Sequence, residues 1–260
     1  MGIVLSWNVA GRVAAQEKQI GFLAKRHFDV LCLQEVTPST RPRWEEALTG
    51  HGLHVAVSEF PHPPRGPRRF GVLIASCDPL EALSPIDVPW PERHLAVRTR
   101  MDGRRVEVHT LHAPLSNKLE QVKVRTLETV YESLASPADV PRILAGDLNT
   151  PRYESREGEV TSFARTAHGL LRPELGERHD RAELGLIVGL PTLGWSDAFR
   201  ALHGYERRDR SWSAQGRFGY RLDHVLVSPP LRPSACEYLH HVREDGLSDH
   251  SAIWAEVSTA

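Results

Sequence analysis

Six short segments of this chain carry carboxylates, amides and imidazoles at the ends of apolar runs. In order they are Ser6-Trp7-Asn8, Leu33-Gln34-Glu35, Thr110-Leu111-His112, Gly146-Asp147-Leu148-Asn149, Arg221-Leu222-Asp223-His224 and Ser248-Asp249-His250. Such a set suits metal-assisted hydrolysis of a phosphate ester. Carboxylates can hold a hard cation or activate water, and amides and imidazoles can meet charge building on phosphoryl oxygens. A rigid sheet can aim residues from remote strand ends at one point. Each segment alone has an ordinary explanation, but all six on one chain are hard to account for by packing.

Glu35 closes the run Leu31-Cys32-Leu33-Gln34. A carboxylate there either reaches water or pairs with a cation, since burying it alone is costly. As a ligand it suits Mg²⁺ or Mn²⁺, which take one or two carboxylates and keep several waters. Ile143-Leu144-Ala145 reads as a buried strand that breaks at Gly146 and then offers Asp147 and Asn149. In extended geometry these two point the same way. Asp147 could orient or deprotonate a water and Asn149 could donate to a phosphoryl oxygen; a plain turn is the competing reading. Asp249 could hold the metal while His250 faces the phosphate. A phosphate-binding histidine should be cationic, which needs a carboxylate partner, and Asp223 is the candidate. His112, one of 14 histidines, reads as a second donor to the phosphate in this company. Asn8 reads as a neutral amide supporting the metal carboxylates.

The elements that must position these residues follow from periodicity. Strands are expected over 3–9, 29–36, 53–57, 70–75, 143–145, 222–227 and 251–257. Asp102-Gly103 joins two alternating runs, 95–100 and 104–110, as a hairpin. Helices are expected over 14–27, 43–48, 118–134 and 196–202, with loops and one or two short helices over 151–192. Interspersed strands and helices with an antiparallel hairpin give a mixed-sheet, layered α/β domain, taken as one domain over residues 1–260.

The 260 residues are 40% hydrophobic and 25% charged, an ordinary globular composition that sets disorder aside. A formal net charge of −1 argues against binding nucleic acid by general phosphate coating, so any such contact must be local. The odd count of 3 cysteines argues against a disulfide scaffold; Cys32 and Cys77 are expected as buried small hydrophobes, and a reducing cytoplasm fits. No stretch is apolar enough to span a membrane, and no signal peptide is evident. Residues 61–69 form a proline-stiffened basic loop with Arg65, Arg68 and Arg69, either solvated or in contact with a polyanion.

The joint motif set resembles the endonuclease/exonuclease/phosphatase superfamily, matching at Asn8, Gln34-Glu35, His112, Gly146-Asp147-Leu148-Asn149, Asp223 and Ser248-Asp249-His250. The resemblance spans essentially the whole chain. It implies a four-layer α/β/β/α sandwich with two packed mixed sheets and a divalent metal, usually Mg²⁺. It also implies in-line attack of water on phosphorus. Asp147 and Asn149 would serve the water, Glu35 with Asp249 and Asn8 the metal, and His250, oriented by Asp223, the phosphate together with His112. The C-terminal third is similar to exonuclease III-type AP endonucleases at Gly194–Arg200 and at Trp212 with Gly219–Asp223. Trp212 would then stack on a sugar or base, or simply pack. Two features depart from that branch: a histidine rather than a tyrosine at position 112, and the run Thr150–Glu154. The expected partner is therefore DNA or a small phosphate ester, acted on by a monomer.

Overall fold

Side chains alternate between the two faces of an extended strand. In Arg142–Asp147, Ile143 and Ala145 therefore join one buried apolar cluster and Leu144 another. Val30–Val36 is divided the same way, with Val30 and Cys32 on one side and Leu31 and Leu33 on the other. Strands apolar on both faces need cover on both faces, and four layers result. The structure is a computed structural model and describes residues 1–60, 69–115, 121–214 and 218–259.

Two six-stranded mixed sheets form the centre. The first runs Leu231–Leu239, Ala252–Thr259, Gly2–Asn8, Val30–Val36, Gly71–Ser76, His54–Val57. The second runs Ser196–Asp197, Asp223–Val227, Arg142–Asp147, Arg104–His112, His94–Met101, Glu81–Ala82. Each sheet holds one parallel pair: Gly2–Asn8 beside Val30–Val36, and Arg104–His112 beside Arg142–Asp147. Both members of a parallel pair end at the same edge, so each pair delivers two strand ends together. Val4, Val30 and Cys32 of the first sheet meet Val106, Val108, Ile143 and Val225 of the second. Outside the first sheet, Leu31 and Leu33 cluster with Leu23, Trp44 and Leu48 of the helices Gln16–Leu23 and Arg41–Gly50. Outside the second, Leu111, Leu144 and Leu226 cluster with Val124, Leu127, Val130 and Leu134 of the helix Val122–Ala135.

Several sequence expectations change. The strand expected to break at Gly146 runs on to Asp147. Glycine permits this, because a Cβ at 146 would lie 2.1 Å from the Leu111 carbonyl oxygen. The helix expected over 14–27 is a short 3₁₀ turn, Val13–Ala15, followed by Gln16–Leu23. Residues 24–27 are all exposed, so no burial extends it. The helix over 118–134 is Val122–Ala135, and 116–120 lie outside the described residues. The region 151–192 holds the short helix expected there, Gly176–Leu184, continued by a π turn, Gly185–Gly189, and Leu190–Thr192, and in addition a small hairpin. Its charge-rich first turns hide the apolar face of Ala182, Leu186, Ile187 and Leu190. Helix Ala198–His203 starts late because Asp197 caps it, accepting from the Phe199 and Arg200 amides. The edge strand Leu231–Leu239 was not expected: a bulge between Pro233 and Ala235 breaks its alternation. Cys32 is buried, but Cys77, one residue past a strand end, is exposed.

Behind the second sheet's active edge lies a buried ionic network. Glu154 accepts from Arg200 at 2.6 and 3.1 Å and from Arg221 at 2.6 and 2.8 Å. Arg221 also reaches Asp197 at 2.9 Å, and Asp197 pairs with His224 at 3.1 Å. Burial opposes the Glu154 charge, but Arg221 and Arg200 outweigh it and hold the carboxyl at about 2 against an ordinary 4.5. A depressed carboxyl stabilises the fold above its unfolded value and loses that contribution as pH falls through its folded value. Wild type is therefore expected to lose about 3 kcal/mol between pH 4.5 and 2 that Glu154→Gln does not lose. Parallel urea melts of both proteins across that range check this; identical pH slopes would remove Glu154 from the account.

Candidate active site

Asp147 is the last residue of its strand and only 1% exposed. The sheet ladder places it opposite His112 on one side and Asp223 on the other. The facing sheet supplies Asn8, whose Nδ2 donates to Asp147 Oδ2 at 3.0 Å and Glu35 Oε1 at 3.3 Å. His112 Nε2 lies 3.6 Å from Glu35 Oε1 and 3.8 Å from Asp147 Oδ2. His250 Nε2 lies 3.8 Å from the same Asp147 oxygen. Asn8, Glu35, His112, Asp147, Asp223 and His250, drawn from both sheets, thus converge on one point.

Glu35 is the extra residue of a bulge, where pairing with Gly71–Ser76 shifts between Gln34 and Val36. Its φ is +59°, a left-handed conformation that an L side chain adopts at a cost of about 1–2 kcal/mol. Bulges re-aim side chains, and this one sends Glu35 toward the pocket instead of across the sheet. Glu35→Gly is therefore expected to be about 1 kcal/mol more stable than Glu35→Ala, although neither can bind a cation there. Chemical denaturation of the two variants measures the difference; equal midpoints would show an unstrained position.

The two histidines differ. Burial opposes charge on His250, but Asp223, with Oδ2 2.8 Å from Nδ1, and Asp147 outweigh it and raise the imidazole to about 10. His250 is cationic at neutral pH. Burial pushes His112 well below the usual histidine range, and the positive charges of Arg93 and His250 push it further. His112 is neutral. Burial likewise raises Asp147, to about 7, with His250 opposing, and it raises Glu35.

Asn149 does not continue the strand, as extended geometry had suggested. It takes φ +49°, and its backbone amide donates to Asp147 Oδ1 at 2.9 Å while its Nδ2 donates to the Ala113 carbonyl at 2.7 Å. Its carbonyl accepts from the buried Lys123 Nζ at 2.7 Å, itself paired with Glu183. Asp249 sits at the rim, 44% exposed, with Oδ2 accepting from Trp212 Nε1 at 3.1 Å. Trp212 also stacks on Tyr220 at an interplanar angle of 1°. Arg65 and Arg68 lie outside the described residues; the Arg69 guanidinium sits over the Phe60 ring. Sequence reasoning missed Arg93 and the Lys123–Glu183 pair. Arg93 follows Trp90-Pro91-Glu92 with no periodic pattern to mark it. Lys123 lies in an expected helix and Glu183 in a polar, poorly periodic stretch, and nothing local marks either as buried.

Asp147, Asp223 and His250 each bring one potential ligand atom within 4.8 Å of the others, a spacing that can hold a metal ion. The partly buried Glu35 carboxylate, also raised by desolvation, faces the same pocket. The carboxylate oxygens of Asp147, Asp223 and Glu35 fit a hard divalent cation.

Buried carboxylates, a cationic imidazole and amides at the adjoining edges of two packed sheets define a hydrolase acting on phosphoric esters. Residues 5–250 match the model of the Endonuclease/Exonuclease/phosphatase family, and the chain belongs to it. No curated protein is significantly similar in sequence. Among solved structures, an AP endonuclease from Archaeoglobus fulgidus superposes with a TM-score of 0.75 at 23% identity, covering 100% of both chains. A humanized D. rerio TDP2 gives 0.70 at 19% identity, covering 99% of this chain and 98% of that one. A 3′ phosphatase, NExo, from Neisseria bound to a product DNA hairpin gives 0.67 at 19%, covering 99% and 100%. At these identities the likeness concerns the fold.

Proposed function

We propose that the chain is a Mg²⁺-dependent nuclease that hydrolyses phosphate esters of DNA by in-line attack of water. The observation that carries this is Asp147, buried yet within 4 Å of Asn8, His112 and His250. Asp147 takes the proton of the attacking water. A carboxyl raised to about 7 by burial is suited to that at neutral pH. The Asn149 backbone amide fixes the Asp147 carboxylate by bonding its Oδ1. Cationic His250 donates to a non-bridging phosphoryl oxygen, with Asp223 holding the ring. Neutral His112 supplies a second contact to the phosphate.

Glu35, with Asp249 at the rim, would hold the cation; Mn²⁺ could replace Mg²⁺. Asp147 and Asp223 of the potential metal group would offer further carboxylate oxygens. Asn8 had been expected beside the metal. Its Oδ1 already accepts from the Ala10 amide and its Nδ2 faces carboxylates, so it acts by aligning them. A dication held by these carboxylates would supply charge neutralisation at the phosphoryl or leaving oxygen.

DNA is favoured by the aromatic hairpin Trp212–Ala214/Phe218–Tyr220 beside Asp249 and His250, where Phe218 is 51% exposed. Exposed rings at a site's mouth stack on bases. The Neisseria 3′ phosphatase and a D. rerio TDP2, both similar in fold, were solved with DNA product. The second reading, a phosphatase or phosphodiesterase for a small molecule or lipid head group, is favoured by the net charge of −1. An assay with Mg²⁺ on abasic duplex, recessed-end duplex, single strands, a nucleotide monoester and a phospholipid separates them. Turnover of a DNA ester above the others is expected; preference for the nucleotide or phospholipid would overturn the DNA reading.

A further inference from the structure

Arg93 ends the turn Pro91–Arg93 that leads into strand His94–Met101 and is only 7% exposed. Its guanidinium lies between two rings, 5.2 Å from the Phe70 centroid and 5.4 Å from that of Trp90. Nη1 is 2.6 Å from His112 Nδ1 and 3.2 Å from Nε2, and Nε has no hydrogen-bond partner. Among the described residues no carboxylate oxygen comes within 4.0 Å of it; Glu35, Glu92 and Asp147 act on it only from farther away. A guanidinium is charged at any working pH, and a buried charge without a counterion is strongly disfavoured. Among the described residues, the Arg93 side chain has the neutral imidazole of His112 as its only hydrogen-bond partner. That imidazole is in turn 3.6 Å from Glu35 and 3.8 Å from Asp147. The charge therefore sits one ring away from the pocket, in want of an anion.

We propose that Arg93 is a substrate-binding residue whose guanidinium, 3.2 Å from His112 Nε2, pairs with a terminal oxygen of the phosphate bound at that edge of the imidazole. The inference rests on the reading of this pocket as a phosphate-ester site. Phe70 and Trp90 hold the fork in plane by cation–π contact. Because they exclude water, the ion pair formed on binding is stronger than it would be at the surface. Planar forks suit phosphate better than a point charge, so lysine should replace Arg93 only in part.

Binding of inorganic phosphate, measured by calorimetry in an Asp147→Asn background, tests this without any turnover. Arg93→Met is expected to weaken phosphate binding by at least about 10-fold and Arg93→Lys by less, with circular dichroism confirming that both fold. In the otherwise unaltered enzyme, Arg93→Ala should lose about 100-fold in kcat/KM and recover part of it when guanidine is added. Recovery would not follow if Arg93 served only to pack the two rings. Unchanged phosphate affinity in Arg93→Met, or the lack of phosphate binding by the Asp147→Asn protein, would overturn the proposal. Should Arg93→Met fail to fold, Arg93→Lys with unaltered phosphate affinity and kcat/KM would do the same. The site reading is judged separately: it fails if Asp147→Asn still turns over esters normally, whatever Arg93 does.

Discussion

Asp147→Asn is expected to lower kcat by a factor of roughly 10³ while making the metal-free protein more stable above neutral pH. The loss follows from its place at the centre of the pocket: an amide cannot accept the proton of the attacking water, a role worth about 10² to 10⁴. The gain follows from linkage. Burial raises the carboxyl from 3.8 to about 7. The folded protein therefore binds more protons here than the unfolded chain, and stability falls as pH rises between those values. Asparagine carries no such penalty, so above pH 7 the variant should exceed wild type by a few kcal/mol. Steady-state kinetics and denaturant melts, with chelator present in the melts, give the two halves. Near-normal turnover would remove Asp147 from the chemistry; a less stable variant would contradict the electrostatics.

Asp223→Asn should lower kcat at pH 7 by about 10²-fold and move the alkaline limb of the pH profile to lower pH. Asp223 is fully buried, and its Oδ2 is the hydrogen-bonded partner of His250 Nδ1. It is the largest of the influences that raise His250 to about 10 against the cost of burial. Without that carboxylate, burial of the ring favours the neutral form, and His250 loses the proton it donates to phosphate. Wild type should then keep its cationic His250 to about pH 10, while the variant loses activity at lower pH on its alkaline side. A pH–rate profile of unchanged shape would show that His250 does not act as a cation.

The order of strands and site segments was legible because each polar group follows an apolar run long enough to be a buried strand. Ile143-Leu144-Ala145 before Asp147 is the clearest case. Both faces of that strand are buried, and the polar residue appears only where the sheet ends. Register was not legible. That Asp147 pairs opposite both His112 and Asp223 depends on ladders between distant segments. Local backbone exceptions were also hidden: the Glu35 bulge, the left-handed Asn149 and the Pro233/Ala235 bulge all break the periodicity a reader relies on. Arg93 and the Lys123–Glu183 pair were missed for a third reason. A buried charge and a solvated one are the same letter, and only tertiary contacts separate them.

The claim on which the rest depends is that a dication and a phosphorus atom share one pocket walled by Glu35, Asp147 and His250. Phosphorus nuclear relaxation of inorganic phosphate bound to Asp147→Asn protein, titrated with paramagnetic Mn²⁺, reads that proximity directly. Strongly enhanced relaxation, lost again in Glu35→Ala, is the expected result. Relaxation indifferent to Mn²⁺, or enhanced equally without Glu35, would place the ion elsewhere and contradict the account.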